Sequence, residues 1–259
     1  MKFVRCRLQE EIVYGAIVGQ VVHRLEAGLE EPRLGPALAA VEEVQLLAPC
    51  QPSKIVAVGL NYASHAAEHR LSLPTEPLIF LKPPSAVIGQ GTPIVYPDHL
   101  SQQVDHEAEL AVVIGRRARR VHREEAATYV LGYTCANDVT ARDLQRRDGQ
   151  WTRSKSFDTF CPLGPWIVTD LDVADLAIGC RVNGELRQES RTSQMIFTVS
   201  DLIAYVSAVM TLEPGDVILT GTPAGVGPLQ PGDRVAVEIE GIGALWNDVV
   251  LGSAGHSVL

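Results

Sequence analysis

The sequence predicts an α+β fold in which β-strands dominate and helices are few. At 259 residues the chain lies just above the usual range of a single domain, so one large domain with a small additional lobe is expected. Apolar residues make up 46% of the chain, which is enough for a proper core. Its 22 glycines and 16 prolines are scattered among short apolar runs, a pattern typical of many strands joined by turns.

The elements are predicted along two segments. Residues 1–50 carry short alternating stretches such as EIVYGAIVG and form a small N-terminal lobe that ends near Pro49 and Pro52. Residues 51–259 form the main domain, where apolar runs alternate with turn residues. Strands are predicted at 55–58, 78–81, 107–114, 166–169, 217–220 and 235–239. Helices are predicted at 62–70, 123–131, 139–147 and 199–210, with Ser200 or Asp201 capping the last one.

Composition disfavours several classes of protein. A net charge of −9 argues against a nucleic-acid-binding protein, which needs a basic surface. The five cysteines are odd in number and form no C-x-x-C motif, so a disulfide framework and a thiolate zinc site are both disfavoured. No apolar run approaches the ~18 residues of a membrane span. We therefore expect a soluble cytoplasmic protein that binds a small molecule, with neither nucleic acid nor membrane as a partner.

A pair of glutamates at the head of an apolar run is the strongest local signal. Glu107 and Glu109 are two residues apart in DHEAELAVVIG, and side chains two apart project from the same face of a strand. At ~4 Å and an effective dielectric of 20, their repulsion is about 4 kcal/mol. A divalent cation would turn that repulsion into a binding site, and all-oxygen ligation suits magnesium, manganese or calcium better than zinc. Alternatively, one glutamate is solvated or pairs with an arginine.

Four further polar residues follow the glutamates. Asp138 lies where the strand-like run GYTCA changes to the helix-like TARDLQRR, so it is either a third ligand or a helix N-cap. Gln145 follows seven residues later, two helical turns along. Lys155 is one of four lysines among 22 basic residues, a weak indication that a compact ammonium is needed. Thr222 lies in the loop TGTPAGVG, which lacks the P-loop spacing but could present its hydroxyl and backbone N–H groups to an anion.

The pentapeptide HAAEH at residues 65–69 matches H-x-x-E-H, the signature of one class of zinc peptidases. On a short helix His65, Glu68 and His69 would lie on one face, as zinc ligation requires. From these residues alone, the zinc site remains an alternative to the acidic site predicted further along the chain.

In order along the chain, the motifs NYASHAAEH, DHEAELAVVIG, GYTCANDVTARDLQ, WTRSKSFDTFCPLGPWIV and LEPGDVILTGTPAGVG resemble those of the fumarylacetoacetate hydrolase family. The resemblance runs from about residue 54 to residue 250. Each motif alone is weak, but together and in this order they are specific. The resemblance implies the fold of that family, a mixed β-sandwich or roll with few helices, and it implies a homodimer.

The resemblance also implies a role for each candidate site residue. It assigns Glu107, Glu109 and Asp138 to one Mg²⁺ (or Mn²⁺ or Ca²⁺), Lys155, Gln145 and Thr222 to the 2-oxo-carboxylate of the substrate, and His65, Glu68 and Lys155 to catalysis. Glu68 then orients and charges His65, which acts as the acid or base. His69 becomes incidental, and the zinc-peptidase interpretation is disfavoured.

The reaction implied by the resemblance runs through an enolate. The motifs VDHEAELAVVIG and KSFDTFCPLGPWIV are most similar to those of bacterial isomerases of 2-hydroxyhepta-2,4-diene-1,7-dioate in aromatic meta-cleavage catabolism, with decarboxylation of 5-carboxymethyl-2-oxo-hex-3-ene-1,7-dioate as a linked activity. An acylpyruvate hydrolase or an oxaloacetate decarboxylase is the alternative, because those enzymes carry the same dyad. A non-catalytic carboxylate-binding relative would lack the dyad or the lysine, yet His65, Glu68 and Lys155 are all present.

Overall fold

The computed structural model describes residues 1–68 and 72–252, which form mainly β-strands. The short apolar runs become strands because alternate side chains of each run can be buried on one face of a sheet. The predicted α+β fold with dominant strands is confirmed. Within the described residues, no helix combines the length and the apolarity needed to cross a membrane.

The elements have the following bounds. The strands are β1 (Lys2–Leu8), β2 (Glu11–Val18), β3 (Val21–Leu25), β4 (Leu34–Ala40), β5 (Gln45–Leu46), β6 (Ile55–Gly59), β7 (Leu78–Lys82), β8 (Val87–Ile88), β9 (Ile94–Tyr96), β10 (Val104–His106), β11 (Ala108–Ile114), β12 (Val130–Asn137), β13 (Thr140–Ala141), β14 (Cys161–Val168), β15 (Ala177–Val182), β16 (Glu185–Arg191), β17 (Val217–Leu219), β18 (Gly227–Leu229), β19 (Arg234–Ile239) and β20 (Gly243–Leu251). The α-helices are α1 (Ala63–Glu68), α2 (Arg142–Asp148), α3 (Thr152–Lys155) and α4 (Val199–Val209), and 3₁₀ turns lie at Val41–Glu43, Pro84–Ala86, Arg123–Tyr129 and Thr192–Gln194.

The strands form one large sheet and two smaller ones. The large sheet has the order β4-β3-β2-β1-β14-β12-β11-β17-β6-β7, with β5 beside β1 and β8 beside β14. A second sheet has the order β16-β15-β19-β20-β9, and a third has the order β13-β10-β18. Strands β11 and β12 of the large sheet contact β15, β19 and β20 of the second sheet. The two sheets therefore pack face to face as a sandwich.

Strand β11 lies at the centre of the molecule and is buried on both faces. Leu110, Val112 and Ile114 belong to one apolar cluster, which includes residues of the second sheet. Ala111 and Val113 belong to another cluster, on the opposite face. Because successive side chains of a strand point to opposite faces, a strand buried on both sides needs an almost continuous apolar run. The candidate site is thus attached to a strand that is buried along its whole length.

The N-terminal strands extend the large sheet. Strand β1 pairs with β14, with Lys2 opposite Val168 and Phe3 opposite Ile167. Strands β1 to β4 continue outward from it as antiparallel neighbours. These strands also enclose a small apolar cluster of their own.

The predicted bounds of most strands agree with the observed bounds to within one or two residues, but those of β14 do not. The sequence predicts a strand only at 166–169, whereas β14 already begins at Cys161. The prolines and the glycine in CPLGPWIV suggest a turn, but pairing with β12, β1 and β8 keeps this segment extended.

The helices depart further from the prediction. The predicted helix at 139–147 begins only at Arg142, because Thr140 and Ala141 first pair with β10. The predicted helix at 123–131 is a 3₁₀ turn that runs directly into β12. Helix α4 is capped by Thr198, not by Ser200 or Asp201: Thr198 Oγ1 accepts from the N–H of Asp201, whose carboxylate accepts from the N–H of Thr198 at 2.9 Å. This reciprocal pair is a capping box.

Candidate active site

Three carboxylates converge at the end of the two central strands. Glu107 lies between β10 and β11, Glu109 is the second residue of β11, and Asp138 directly follows β12. The strands are antiparallel neighbours, and the N–H of Asp138 donates to the carbonyl of Glu107 at 2.9 Å. One oxygen of each carboxylate lies within 4.8 Å of the others, and all three residues are buried. The fold thus collects like charges in its interior.

Two lysines and one arginine are paired with two of these carboxylates. Lys155 Nζ donates to Glu107 Oε2 at 2.9 Å and to Asp138 Oδ2 at 2.6 Å. Lys82 Nζ donates to the other oxygen of Asp138 at 2.6 Å, and Arg142 donates to Glu107 Oε1. The alternative that a glutamate pairs with an arginine is therefore correct for Glu107. The alternative that Asp138 is a helix N-cap is wrong, because α2 begins only at Arg142 and its N-cap residue is Ala141.

Glu109 differs from its neighbour in its electrostatic environment. Its Oε2 accepts from the N–H of Gly221 at 2.6 Å, and no described lysine or arginine forms an ion pair with it. Burial, together with the charges of Asp138 and Glu107, raises the pKa of Glu109 well above its ordinary value. Burial also acts on Glu107, but Lys155 and the arginine beside it outweigh burial and lower the pKa of that carboxyl.

The donor set fits a hard divalent cation. The cluster offers carboxylate oxygens from Glu107, Glu109 and Asp138, and within the described residues no histidine or cysteine belongs to it. Magnesium, manganese and calcium prefer such oxygen ligands. A cation would also balance the charge of Glu109, which burial and its neighbours otherwise disfavour. His69, the last residue of the zinc-like pentapeptide, lies outside the described residues.

Helix α1 brings His65 and Glu68 to the same site. His65 Nδ1 lies 3.3 Å from Glu68 Oε2, and His65 lines the cavity that contains the three carboxylates. Glu68 Oε1 accepts from the N–H of Gly225 at 3.0 Å, so Glu68 also ties α1 to the glycine-rich loop. The two ring nitrogens of a histidine are chemically distinct, and the carboxylate of Glu68 lies beside Nδ1.

The start of α1 is fixed against the same loop. The side-chain amide of Asn61 donates to the carbonyls of Thr220 at 2.7 Å and Phe197 at 3.0 Å. Gly221 has a φ of 96°, and a Cβ there would lie 2.7 Å from the Cβ of Asn61. This position therefore requires glycine. Its close approach lets the loop reach both α1 and the carboxylate of Glu109.

A cavity of about 350 Å³ connects these groups. Its lining consists of Val58, Gly59, Leu60, His65, Phe80, Glu107, Glu109, Asp138, Arg142, Gln145, Arg146, Trp151, Lys155 and Thr222. Phe80 and Trp151 form an apolar wall, with ring centroids 5.2 Å apart in an edge-to-face arrangement. A Cβ at Gly59 would lie 2.8 Å from the Trp151 ring, so glycine lets the indole lie against the strand end. The cavity thus has one charged end and one apolar side.

The structure places both predicted substrate-binding residues in this lining but restricts how each can act. Gln145 Oε1 accepts from Arg142 Nη1 at 2.6 Å, and because arginine only donates, the amide N–H groups of Gln145 remain for a ligand. The Thr222 hydroxyl donates to the carbonyl of Ala108 at 2.9 Å and accepts from Gln188 at 2.8 Å. Its hydrogen is therefore used within the protein, so towards a ligand the hydroxyl oxygen can only accept a hydrogen bond.

Sequence reasoning missed four residues that hold this site together. They are Asn61, Lys82, Arg142 and Gln188. Arg142 could have been found from its i, i+3 spacing to Gln145. The role of Lys82 could not have been found in this way, because Lys82 ends an ordinary apolar strand. Its ion pair with Asp138 depends on the sheet, in which Lys82 lies opposite Ile55.

The fold and the site define an enzyme-like cavity in which a buried acidic cluster that could hold a cation lies near a histidine–glutamate pair. Comparison with protein-family models agrees with this description. Residues 54–250 match the model described as "Fumarylacetoacetate (FAA) hydrolase C-terminal", and residues 1–49 match the one described as "Rv2993c-like, N-terminal". The chain belongs to the fumarylacetoacetate hydrolase family, as the motifs indicated, and members of this family are enzymes.

Three proteins similar to this chain carry the names of three different enzymes. The mitochondrial oxaloacetate tautomerase FAHD2B of Bos taurus is 51% identical over 221 residues, which are 80% of this chain and 70% of that protein. A crystal structure of 2-hydroxyhepta-2,4-diene-1,7-dioate isomerase from Mycobacterium marinum is 45% identical, with a TM-score of 0.90, and covers 98% of this chain and 99% of that one. Maleylpyruvate hydrolase from Sphingobium sp. SYK-6, in complex with manganese(II) and pyruvate, is 33% identical, with a TM-score of 0.82 and coverages of 98% and 100%.

Proposed function

We propose that this chain is a divalent-cation-dependent isomerase that moves a proton between oxygen and carbon of a 2-hydroxy-ene or 2-oxo carboxylate. Its first candidate substrate is 2-hydroxyhepta-2,4-diene-1,7-dioate. The observation that carries the proposal is one cavity that holds His65 together with the carboxylates of Glu107, Glu109 and Asp138. The similarity to the Mycobacterium marinum isomerase over nearly the whole chain supports the choice of substrate.

The charged end of the cavity would bind the 2-oxo-acid portion of the substrate. When bound there, a magnesium or manganese ion supplies Lewis-acid stabilisation of negative charge on the 2-oxygen. The ammonium of Lys155 has three N–H donors, of which Glu107 and Asp138 take two. The third can stabilise the developing oxyanion. Gln145, on helix α2, would donate hydrogen bonds to the substrate from its side-chain amide.

His65 would move the proton. In the isomerisation, the 2-hydroxyl loses its proton, the double bonds shift toward the 2-oxo group, and carbon 5 takes up a proton. A histidine is suited to both transfers because its ordinary pKa lies near neutrality. Glu68 at Nδ1 fixes the ring and stabilises its protonated form. Decarboxylation of 5-carboxymethyl-2-oxo-hex-3-ene-1,7-dioate would use the same charged end of the cavity.

A second candidate function is oxaloacetate tautomerisation. The observation that favours it is the 51% identity to the Bos taurus oxaloacetate tautomerase. This reaction is a shorter version of the same proton transfer, from the 2-hydroxyl of the enol to carbon 3. It requires the same carboxylates, lysine and histidine. The residues of the site therefore do not distinguish the two candidate functions, whereas a comparison of substrates does. Acylpyruvate hydrolysis and oxaloacetate decarboxylation remain alternatives with the same groups.

Substrate turnover by metal-stripped protein tests the proposal. Magnesium, manganese or zinc is restored, and the hydroxyheptadienedioate, enol-oxaloacetate and an acylpyruvate are compared, with deuterium uptake followed in D₂O. Cation-dependent deuterium uptake at carbon 5 of the seven-carbon diacid is the expected result. Faster ketonisation of oxaloacetate would favour the second candidate, and cleavage of the acylpyruvate would favour a hydrolase. The absence of turnover with every substrate and cation would contradict the proposal and favour a non-catalytic carboxylate-binding relative.

A further inference from the structure

Three cationic side chains line the cavity, and two of them are already neutralised. Lys155 is bonded to two buried carboxylates. Arg142 uses Nη2 for Glu107, Nε for Asp105 and Nη1 for an amide oxygen. Neither has a free positive charge for a second anionic group of a ligand. The charged end of the cavity therefore accounts for one end of a substrate only.

Arg146, the third cation, has a different environment. Its Nη2 donates to the amide oxygen of Gln103 at 2.6 Å, and it forms no ion pair with a carboxylate within the described part of the chain. Gln103 is a neutral partner, so it orients the guanidinium without cancelling its charge. Arg146 thus lines the cavity as an oriented cation without a counter-ion.

Arg146 lies in the exposed part of the cavity lining, whereas the carboxylate cluster lies in the buried part. Lys155 and Arg142 are buried, Gln145 is half-buried and Arg146 is exposed, so exposure increases outward along the lining. Arg146 follows Arg142 by four residues on α2, one helical turn or about 5.4 Å along the axis. The terminal carbons of a seven-carbon diacid are separated by six C–C bonds, which span roughly 7 Å. The two lengths are comparable.

We infer that Arg146 binds the distal carboxylate of a long dicarboxylic substrate and so selects diacids over monoacids. The inference rests on the proposed function, which places the 2-oxo-acid end at the buried carboxylates. A guanidinium and a carboxylate form a charge-assisted, often bidentate pair. Phe80 and Trp151 line the same cavity and give it an apolar wall that suits the hydrocarbon middle of such a molecule.

A solvated arginine at the end of a helix is the alternative, since cations stabilise the last turn of a helix. Arg147 provides a matched comparison. It lies in the same turn, is also exposed, and has Asp148 as its partner at 3.6 Å. It is absent from the cavity lining. If binding depends on helix stability or on overall charge, substitution of either arginine should change it. If Arg146 recognises the ligand, only substitution of Arg146 should change it.

The test uses two ligands that differ only in the distal carboxylate, 2-oxoheptanedioate and 2-oxoheptanoate. Calorimetry with the magnesium-loaded protein measures their binding to wild type, Arg146→Met, Arg146→Lys and Arg147→Met. Wild type and Arg147→Met are expected to bind the diacid about tenfold more tightly. Arg146→Met should bind both ligands equally, with unchanged affinity for the monoacid, and Arg146→Lys should recover part of the preference.

The outcomes separate the two claims. If wild type binds both ligands equally, or if Arg146→Met keeps the preference for the diacid, the role of Arg146 is refuted and the proposed function stands. Loss of the preference in both Arg146→Met and Arg147→Met also refutes it, because the effect is then one of general charge. If wild type binds neither ligand with magnesium, the proposed function fails and the inference about Arg146 fails with it.

Discussion

Lys82 gives the most demanding test of the site, because the proposed cation would have to compete with its ammonium for an oxygen of Asp138. The substitution Lys82→Met keeps most of the apolar stem and removes the ammonium. Lys82 is 1% exposed, and its Nζ donates to Asp138 Oδ1 at 2.6 Å and to the carbonyl of Val139 at 3.3 Å. Removing one partner of a buried ion pair costs about 3–5 kcal/mol. At about 2–4 °C per kcal/mol for a chain of this size, the Tm of metal-free protein should fall by roughly 6–20 °C.

Magnesium should reverse part of this loss. Without Lys82, Asp138 Oδ1 is free to bind a cation, and one positive charge fewer repels that cation. Each tenfold gain in cation affinity adds about 1.4 kcal/mol of stability at saturating magnesium. Magnesium is therefore expected to raise the Tm of Lys82→Met by several degrees more than it raises that of wild type.

Lys54→Met is the matched control. Lys54 also pairs with a buried aspartate, Asp216, and neither residue lines the cavity. Differential scanning fluorimetry across a magnesium titration should show that this variant is destabilised but responds to magnesium as wild type does. The reasoning would be refuted if Lys82→Met has the Tm of wild type without metal, or if magnesium raises its Tm no more than it raises that of wild type.

Three further predictions concern the cation, the proton transfer and the pH dependence of stability. Glu109→Gln keeps an acceptor for the N–H of Gly221 but removes the charge, so magnesium affinity measured by calorimetry should fall by about 100-fold or more; unchanged affinity would place the cation elsewhere. His65→Gln should lower kcat by about 10²–10⁴-fold with magnesium binding unchanged, and normal deuterium uptake at carbon 5 would contradict the assigned role. Burial acts to raise the pKa of Asp216, but hydrogen bonds from Lys54, the N–H of Glu213 and Ser53 outweigh it and lower the pKa. Its stabilisation is therefore present above the unfolded pKa of about 4 and lost as pH falls through the lower folded value. Urea unfolding should show that Asp216→Asn is much less stable than wild type at pH 7, and that this difference in stability shrinks as the pH is lowered below about 4; a constant difference would be evidence against this.

The strands could be predicted from sequence where burial alone determines the pattern. Strand β11 is apolar on both faces, and its run of small and branched residues indicates this directly. Strand β14 could not be predicted in full, because Pro162, Gly164 and Pro165 mark a turn in local terms. Its neighbours in the sheet, which are far away in sequence, decide its conformation. The start of α2 was misplaced for the same reason, since the pairing of Thr140 and Ala141 with β10 is a long-range contact.

The carboxylates of the candidate site could be predicted from the sequence, but the lysines and the arginine that pair with them could not. The spacing of Glu107 and Glu109 indicates a shared face, and the structure brings Asp138 to them; their roles as metal ligands stay predictions. The sequence provides no means of assigning counter-ions to individual carboxylates, because Lys82, Arg142 and Lys155 come from three different elements. Glu107 forms ion pairs with Arg142 and Lys155, whereas Glu109 forms none with any described lysine or arginine.

The placement of the site on different elements has a consequence for engineering and for evolutionary change. The carboxylate cluster lies at the adjoining ends of the central strands β11 and β12, which are deeply buried. His65 and Glu68 come from the six-residue helix α1, and Arg146 comes from the exposed end of α2. On the roles proposed above for His65 and Arg146, a library that varies these two helices while leaving β11 and β12 unchanged would alter reaction type and substrate length separately. The same modularity would let descendants of one ancestral protein acquire new substrates without rebuilding the shared acidic site.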